Sequence, residues 1–500
     1  MSMTATKPVV VSRITHLAAI GITISAALNL AACTAQAEVK TDAAPASHVV
    51  APMAEKTVSV KDDSTVKEYS LKNGMKIIVK PDHRAPVVVS QVWYKTGSSY
   101  EINGVTGVAH VLEHMMFKGT KAHGPNEFSR IIAANGGEEN AFTSQDYTTY
   151  FQQLEKSRLP ISMQLEADRM ENLNLRAEDF AKEIQVVMEE RRMRTDDKPN
   201  SQTYEQFIAT AYVNSPYHHP TLGWMTDLKH MTVNDARNWY NHWYAPNNAT
   251  LVVVGDVDPD AVYAMAKKYY GPVKPKDVPT VRPQKEVPQH GMRIVHVKAP
   301  AQLPYLLMGY KVPVVKTDSE AWEPYALEML AYVLDGGDSA RFSKELVRGS
   351  QVATNIDAGY DLYSRLGELF TIDGTPSQGH SIKDLEQAVR AQIKRVQDEP
   401  VSEAELDRFK TQIVASKVYE KDSMFYQAMQ IGTLTTVGLD WHLMDQYVDK
   451  VRAVTPAQIQ AVARKYLVDD GLTVGILDPQ KIPAQAARIT NGGTHAQFIN

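Results

Sequence analysis

The sequence predicts an α+β protein made of two similar domains, and three observations carry that reading. The chain has 500 residues, and the part beyond its N-terminal leader is too long for one hydrophobic core, since cores stop growing at about 250–300 residues. A passage containing Pro272, Pro275, Pro279, Pro283 and Pro288 interrupts its middle, as an extended linker would. The two sides of that passage also echo one another. Thr232 opens a helical run to Tyr244, followed by the strand-like Thr250-Leu251-Val252-Val253-Val254 and Asp258-Pro259. Thr455-Pro456 opens a run to Tyr466, followed by Leu472-Thr473-Val474-Gly475-Ile476 and Asp478-Pro479. Each side begins with paired strand-like runs, Lys76 to Lys80 with Val87 to Tyr94, and Ile294 to Val297 with Leu306 to Val312.

In chain order, the leader comes first. Lys7 and Arg13 precede an apolar stretch from Ile14 to Ala32, the pattern of a signal peptide. It ends Leu30-Ala31-Ala32-Cys33, which resembles a bacterial lipoprotein box whose Cys becomes the lipidated first residue; Thr34 after it points to sorting to the outer membrane. Cys33 is the single cysteine, so the chain holds no internal disulfide. Ala35-Gln36-Ala37 offers an ordinary signal-peptidase site, which would release a soluble periplasmic protein. Thr15, His16, Thr23, Ser25 and Asn29 break the apolar run, which disfavours a transmembrane anchor. The expected organisation is a leader at 1–33, a flexible tether rich in Ala, Pro, Lys and Val at 34–62, an N-terminal domain at 63–271, the Pro-rich linker at 272–291, a C-terminal domain at 292–485 and a tail at 486–500.

The N-terminal domain carries the run His110-Val111-Leu112-Glu113-His114. Residues i, i+3 and i+4 of a helix share a face, so both imidazoles reach one metal ion with Glu113 beside it. Val108, Ala109, Val111, Leu112, Met115, Met116 and Phe117 surround them with apolar surface. The helix should therefore be buried, and burying unpartnered polar groups costs roughly 2–7 kcal/mol each. A bound cation is the natural compensation. A third ligand is sought in the helical segment from Glu178 to Glu190, where positions 183, 186, 187 and 190 form one stripe. Glu183 and Glu190 bracket Val186 and Val187 on the face expected to point inward, while Glu189, Arg191, Arg192 and Arg194 read as a solvated end.

Further motifs accompany these: Gly97-Ser98-Ser99-Tyr100-Glu101, Gly107 through Thr120, Gly136-Gly137, Asn140-Ala141-Phe142-Thr143, Thr148-Thr149-Tyr150, Pro216-Tyr217-His218-His219-Pro220 to Gly223, Tyr244-Ala245-Pro246-Asn247 and Gly255-Asp256. Together they resemble the inverzincin metallopeptidases of the pitrilysin, insulinase and mitochondrial processing peptidase type. The resemblance implies duplicated α/β sandwich domains, each an antiparallel-rich sheet with helices on one face, closing as a clamshell. It implies one Zn2+ per chain held by His110, His114 and Glu190, with Glu113 as general base and acid and Glu183 supporting a ligand His. Asn140, Ala141, Phe142 and Thr143 fall on the family's substrate-pairing edge strand, where backbone pairing binds peptides with little sequence preference. His218 and His219 are read as loop residues, because neighbours in sequence point apart.

The resemblance breaks in the second half. Family members hold the substrate carbonyl with an Arg and a Tyr, but Val347 and Thr354 stand at those positions and Arg348 is one place off. That suggests a zinc-bearing subunit whose homologous partner supplies Arg and Tyr, or a homodimer. A non-catalytic scaffold subunit of the same fold is the alternative, against which the complete set of site residues counts. The net charge of −5 argues against nucleic acid as the partner, since phosphate binding needs basic patches, and is compatible with cationic peptides. The expected activity is zinc-dependent endopeptidase cleavage of peptides or unfolded segments in the cell envelope, with membrane contact only through a lipid on Cys33.

Overall fold

The computed structural model describes residues 66–482 apart from Pro283 and Ser319. The leader, the tether, Cys33 and the tail lie outside the described residues. Among the described residues eleven strands form two sheets. The first contains β1 (Lys67–Ser70), β2 (Lys76–Pro81), β3 (Val87–Tyr94), β4 (Glu138–Thr143), β5 (Thr148–Glu155) and β6 (Ala249–Gly255), in the order β1-β2-β6-β3-β5-β4. The second contains β7 (Arg293–Pro300), β8 (Tyr305–Val312), β9 (Ala353–Gly359), β10 (Glu368–Pro376) and β11 (Leu472–Gln480), in the order β7-β11-β8-β10-β9. Without β1 the two orders superimpose strand for strand. In each, one parallel pair (β2 with β6, β7 with β11) sits in an otherwise antiparallel sheet. The duplication expected from the sequence is therefore a duplication of topology.

The echoed helices form where their caps predict. Thr232 and Thr455 each close a capping box, with Asp235 and Gln458, at the start of helices Val233–Trp243 and Pro456–Tyr466, which satisfies otherwise unpaired N–H groups. The Asp-Pro part of the echo does not hold. Asp258 caps helix Pro259–Tyr269 through the Ala261 amide, whereas Asp478-Pro479 lies inside β11, whose pairing with β7 runs on to Gln480.

Each half packs its own core, and then the halves exchange helices. Strand β6 is buried along its whole length, and its alternate residues face different cores. Leu251 and Val253 join the first half's core, whereas Val252 and Val254 join a cluster with Ala428, Ile431, Leu434 and Val437 of helix Met424–Val437. Reciprocally, Phe207, Ile208 and Ala211 of helix Pro199–Ala211 pack on Leu307 and Leu369 of the second sheet. Each sheet thus carries its own half's helices on one face and a borrowed helix on the other, which is why these strands read as unbroken apolar runs. Burying a side chain such as Phe207 contributes roughly 1.5–3 kcal/mol.

The exchange depends on glycines that let aromatic rings approach the backbone. A Cβ on Gly309 would lie 2.6 Å from the Phe207 ring, and one on Gly432 would lie 2.0–2.5 Å from three atoms of the Trp93 indole. Gly432→Ala is therefore expected to destabilise the protein by about 1–3 kcal/mol through overpacking, read as a lower denaturation midpoint. A midpoint equal to wild type would mean that the helix does not sit against Trp93.

The Pro-rich passage from 272 to 291 is pinned rather than free. Glu286 accepts backbone N–H bonds from Val213, Asn214 and Ser215 and pairs with Lys311 at 2.8 Å. A second polar clasp lies between the halves. Asp146, in the turn between β4 and β5, accepts from Ser99 Oγ (2.9 Å), Tyr217 Oη (2.5 Å), and the Arg365 backbone N–H and Nε (3.1 and 3.0 Å). Arg365 also donates to Ser99 and covers the Tyr100 ring.

Candidate active site

Helix Val108–Met115 begins at Gly107, whose φ of 88° and close approach to the Leu222 carbonyl exclude a side chain. Its exposed amides are satisfied by a distant carboxylate. Glu101 accepts from the Gly107 and Ala109 N–H groups at 2.7 and 2.8 Å. Burial pushes the Glu101 carboxyl well above the usual carboxylate range, against these two N–H bonds. Every residue of the helix except His114 is buried, as the apolar surround predicts.

Helix Ala177–Arg191 lies against it and brings the acidic residues to the imidazoles. Glu190 Oε2 lies 3.3 Å from His114 Nε2 and 3.7 Å from His110 Nε2. One nitrogen from each His and one oxygen of Glu190 fall within 4.8 Å of one another. Zinc bound tetrahedrally at about 2.0–2.1 Å places its ligand atoms about 3.3–3.4 Å apart. The three donors therefore have the chemistry of a zinc triad, and the two Glu190 contacts approach its spacing. His114 Nδ1 meets Glu183 Oε1 at 3.0 Å, and the other Glu183 oxygen holds Lys118 Nζ at 2.5 Å. Glu183 thus orients a ligand ring instead of joining the triad.

Glu113 stands on the same helix face, 8% exposed, and accepts a 2.5 Å hydrogen bond from Thr143 Oγ1. Thr148 spends its own hydroxyl proton on the Thr96 carbonyl at 3.0 Å. The Thr143 proton is therefore left for Glu113. Burial dominates the protonation of the group: it raises Glu113 to about 7, against the Thr143 bond and the His114 charge. Burial also holds His110 down at about 3, so it is neutral and ready to ligate. For His114 burial opposes charge, but bonds to Glu183 and Glu190 outweigh it and take the ring up to about 9. Burial likewise opposes ionisation of Glu190, and the His114 bond with the Arg194 charge outweighs it, down to about 2.

The remaining candidates fall as follows. β4 is the edge of its sheet, pairing among the described strands with β5 alone, so one side of its backbone is open. Asn140 is exposed on it, and Ala141 is buried. Phe142 packs edge-on against Trp93 and Tyr147, while the Thr143 side chain turns to Glu113. His218 and His219 have rings 4.2 Å apart, not splayed as their adjacency suggests. They engage Ser215, Ser98 and Asn103 and not the triad. Val347 packs on the second core, Thr354 bonds the Pro376 carbonyl, and Arg348 is spent on the Asp338 and Ser343 carbonyls.

Two readings of the acidic helix need correction. Val186 is 50% exposed, because the buried stripe centres on Phe180, Ile184 and Val187, leaving Glu190 at its border and Val186 beyond. Of the charges read as a solvated end, Glu189 and Arg192 are exposed and pair with each other, but Arg191 and Arg194 are not part of it. Arg191 is buried, pairing with Glu205 and the Gly223 carbonyl, and Arg194 reaches Glu190 Oε1 at 3.0 Å. Lys118 and Arg194 are site residues that sequence reasoning did not place, and Thr143, expected only on the substrate-pairing strand, also bonds Glu113. Only Arg194 left a signal, its i,i+4 spacing from Glu190.

Two family models match the chain, one described as insulinase (peptidase family M16) over residues 76–224 and one as peptidase M16 inactive domain over 230–413. The zinc protease PqqE of Helicobacter pylori is 36% identical over 348 residues, covering 68% of this chain and 77% of that protein. A crystal structure of a protease from Helicobacter pylori superposes with a TM-score of 0.79 at 31% identity, over 83% of this chain and all of the other. The periplasmic protease PqqL of Escherichia coli superposes at 0.70 with 17% identity, over 88% of this chain but 51% of the PqqL chain.

Proposed function

The chain belongs to the insulinase (M16) peptidase family, and from that premise we propose that it is a zinc-dependent endopeptidase acting on peptides or unfolded segments in the cell envelope. The observation that carries the proposal is the approach of His110 Nε2, His114 Nε2 and Glu190 Oε2 to zinc-ligand spacing beside a buried Glu113. When bound, zinc supplies the Lewis acidity that activates a water near neutral pH and polarises the scissile carbonyl. Glu113 takes the proton of the attacking water and delivers it to the leaving nitrogen, with Thr143 holding the carboxylate in place. Glu183, itself held by Lys118, fixes the His114 ring. The open side of β4 receives the substrate backbone as an added strand. The second family match, described as inactive, begins at residue 230, beyond all of these residues, so it does not weigh against catalysis by the first half.

The signal pattern up to Cys33, with the periplasmic neighbours, supports an envelope location, lipid-anchored at the outer membrane or released. Among the described residues no helix is long and apolar enough to cross a membrane. Glu190→Ala is expected to lose zinc and cleavage together, measured by metal analysis and a fluorogenic peptide; full zinc occupancy in that variant would contradict the ligand assignment.

A second subunit is the next part of the proposal. Among the described residues, every polar partner of the five site side chains belongs to the first half, and the second half offers Val347 and Thr354 where Arg and Tyr are expected. The match covers 51% of the PqqL chain, a length that leaves room there for a second unit. A homologous chain lacking H-x-x-E-H and carrying Arg and Tyr is expected to raise the cleavage rate on mixing. A rate unchanged by such a chain would exclude it as the supplier.

A further inference from the structure

We infer that Arg194 is the substrate-facing cation of this site, fixing the outer oxygen of Glu190 with one nitrogen and presenting its remaining donors to the oxygen of the scissile carbonyl. The inference rests on the peptidase reading and adds a residue to it.

Four observations support it. The two oxygens of Glu190 have different partners: Oε2 faces the imidazoles at 3.3 and 3.7 Å, and Oε1 meets Arg194 Nη2 at 3.0 Å. A carboxylate so divided offers the triad one oxygen, and the guanidinium lies next to the triad. Second, the arginine side chain is 36% exposed, so it borders solvent at the site, and a guanidinium has five N–H donors of which this pair uses few. Third, the local backbone delivers it there. Beyond helix Ala177–Arg191 the chain continues as a π-helical turn, Arg192–Asp196, a feature frequent at functional sites. Arg191 is spent on Glu205 and the Gly223 carbonyl, and Arg192 on Glu189, which leaves Arg194 as the arginine of the turn that faces the metal ligands. Its charge is felt at His110 and Glu113 as well as at Glu190.

Fourth, the other described residues considered for the role do not take it. Lys118 is bound to Glu183, Arg348 to backbone carbonyls, and Val347 is apolar and packed. Charge developing on the carbonyl oxygen needs a donor, and removing one such donor lowers kcat by about 10²–10³. Arg194 answers that need in cis, whatever a second subunit adds.

The test compares Arg194→Ala and Arg194→Lys in the full chain, measuring zinc content, kcat and KM on a fluorogenic peptide, and affinity for a phosphinic peptide whose anionic oxygens mimic the tetrahedral state. Arg194→Ala is expected to keep about one zinc per chain, to lose roughly a hundredfold or more in kcat with KM changed only a few-fold, and to bind the phosphinic peptide roughly a hundredfold more weakly. Arg194→Lys should recover part of both losses. Unchanged kcat and unchanged phosphinic affinity would overturn the inference. So would loss of zinc from Arg194→Ala, which would reduce the residue to a support for Glu190. A wild-type chain that holds zinc yet neither cleaves nor binds the phosphinic peptide would instead bring down the peptidase reading and this inference with it.

Discussion

Glu113→Gln is expected to hold zinc as the wild type does and to cleave peptides about 10²–10⁴ times more slowly. The two side chains have the same shape, so Gln can keep the 2.5 Å contact with Thr143 and leave the helix packing intact. What it cannot do is accept the proton of water. Because Glu113 is buried and outside the triad, its loss separates chemistry from metal binding, which no substitution of His110, His114 or Glu190 can do. The check is metal analysis alongside single-turnover cleavage. A variant that cleaves within tenfold of wild type would remove Glu113 from the proton path.

Asp146→Ala is expected to cost roughly 3–5 kcal/mol in chemical denaturation, the usual loss when one partner of a buried pair is deleted. Asp146 is 5% exposed, and its carboxylate is where Ser99 and Tyr217 of the first half meet Arg365 of the second. Deleting it leaves a guanidinium, 11% exposed, without its countercharge. The effect should extend to function, because Asp146 lies in the turn that follows β4. Weaker peptide binding is expected together with lower stability. A denaturation midpoint within error of wild type would show that the halves are held by the exchanged helices alone.

How much of this could be read from the chain depended on sequence distance. His110 and His114 are one helical turn apart, and Glu183 and Glu190 one heptad apart, so each pair declares a shared face before any folding is known. Thr143 lies 30 residues from Glu113, and nothing in its neighbourhood says that its hydroxyl turns toward the metal helix instead of the substrate. Arg194 was obscured by company: a run of charges at a helix end usually faces water, and the π-helical turn that redirects this one leaves no pattern. The exchanged helices were hidden for a different reason. The unbroken apolar run of β6 indicates that both faces are covered, but not that Ala428 and Ile431, far beyond the linker, cover one of them. Thr232 and Thr455 were legible because a capping box is local, and Asp478 misled because Asp-Pro marks a helix start only where pairing lets the strand end.

The measurement that bears most directly on the central claim is cleavage of an unstructured peptide by the purified full chain, with its zinc content determined on the same sample. About one zinc per chain is expected, with cleavage lost on chelation and restored by added zinc. A chain that holds no zinc, or that cleaves equally well after the metal has been stripped, would contradict the assignment of His110, Glu113, His114 and Glu190 as a hydrolytic zinc site.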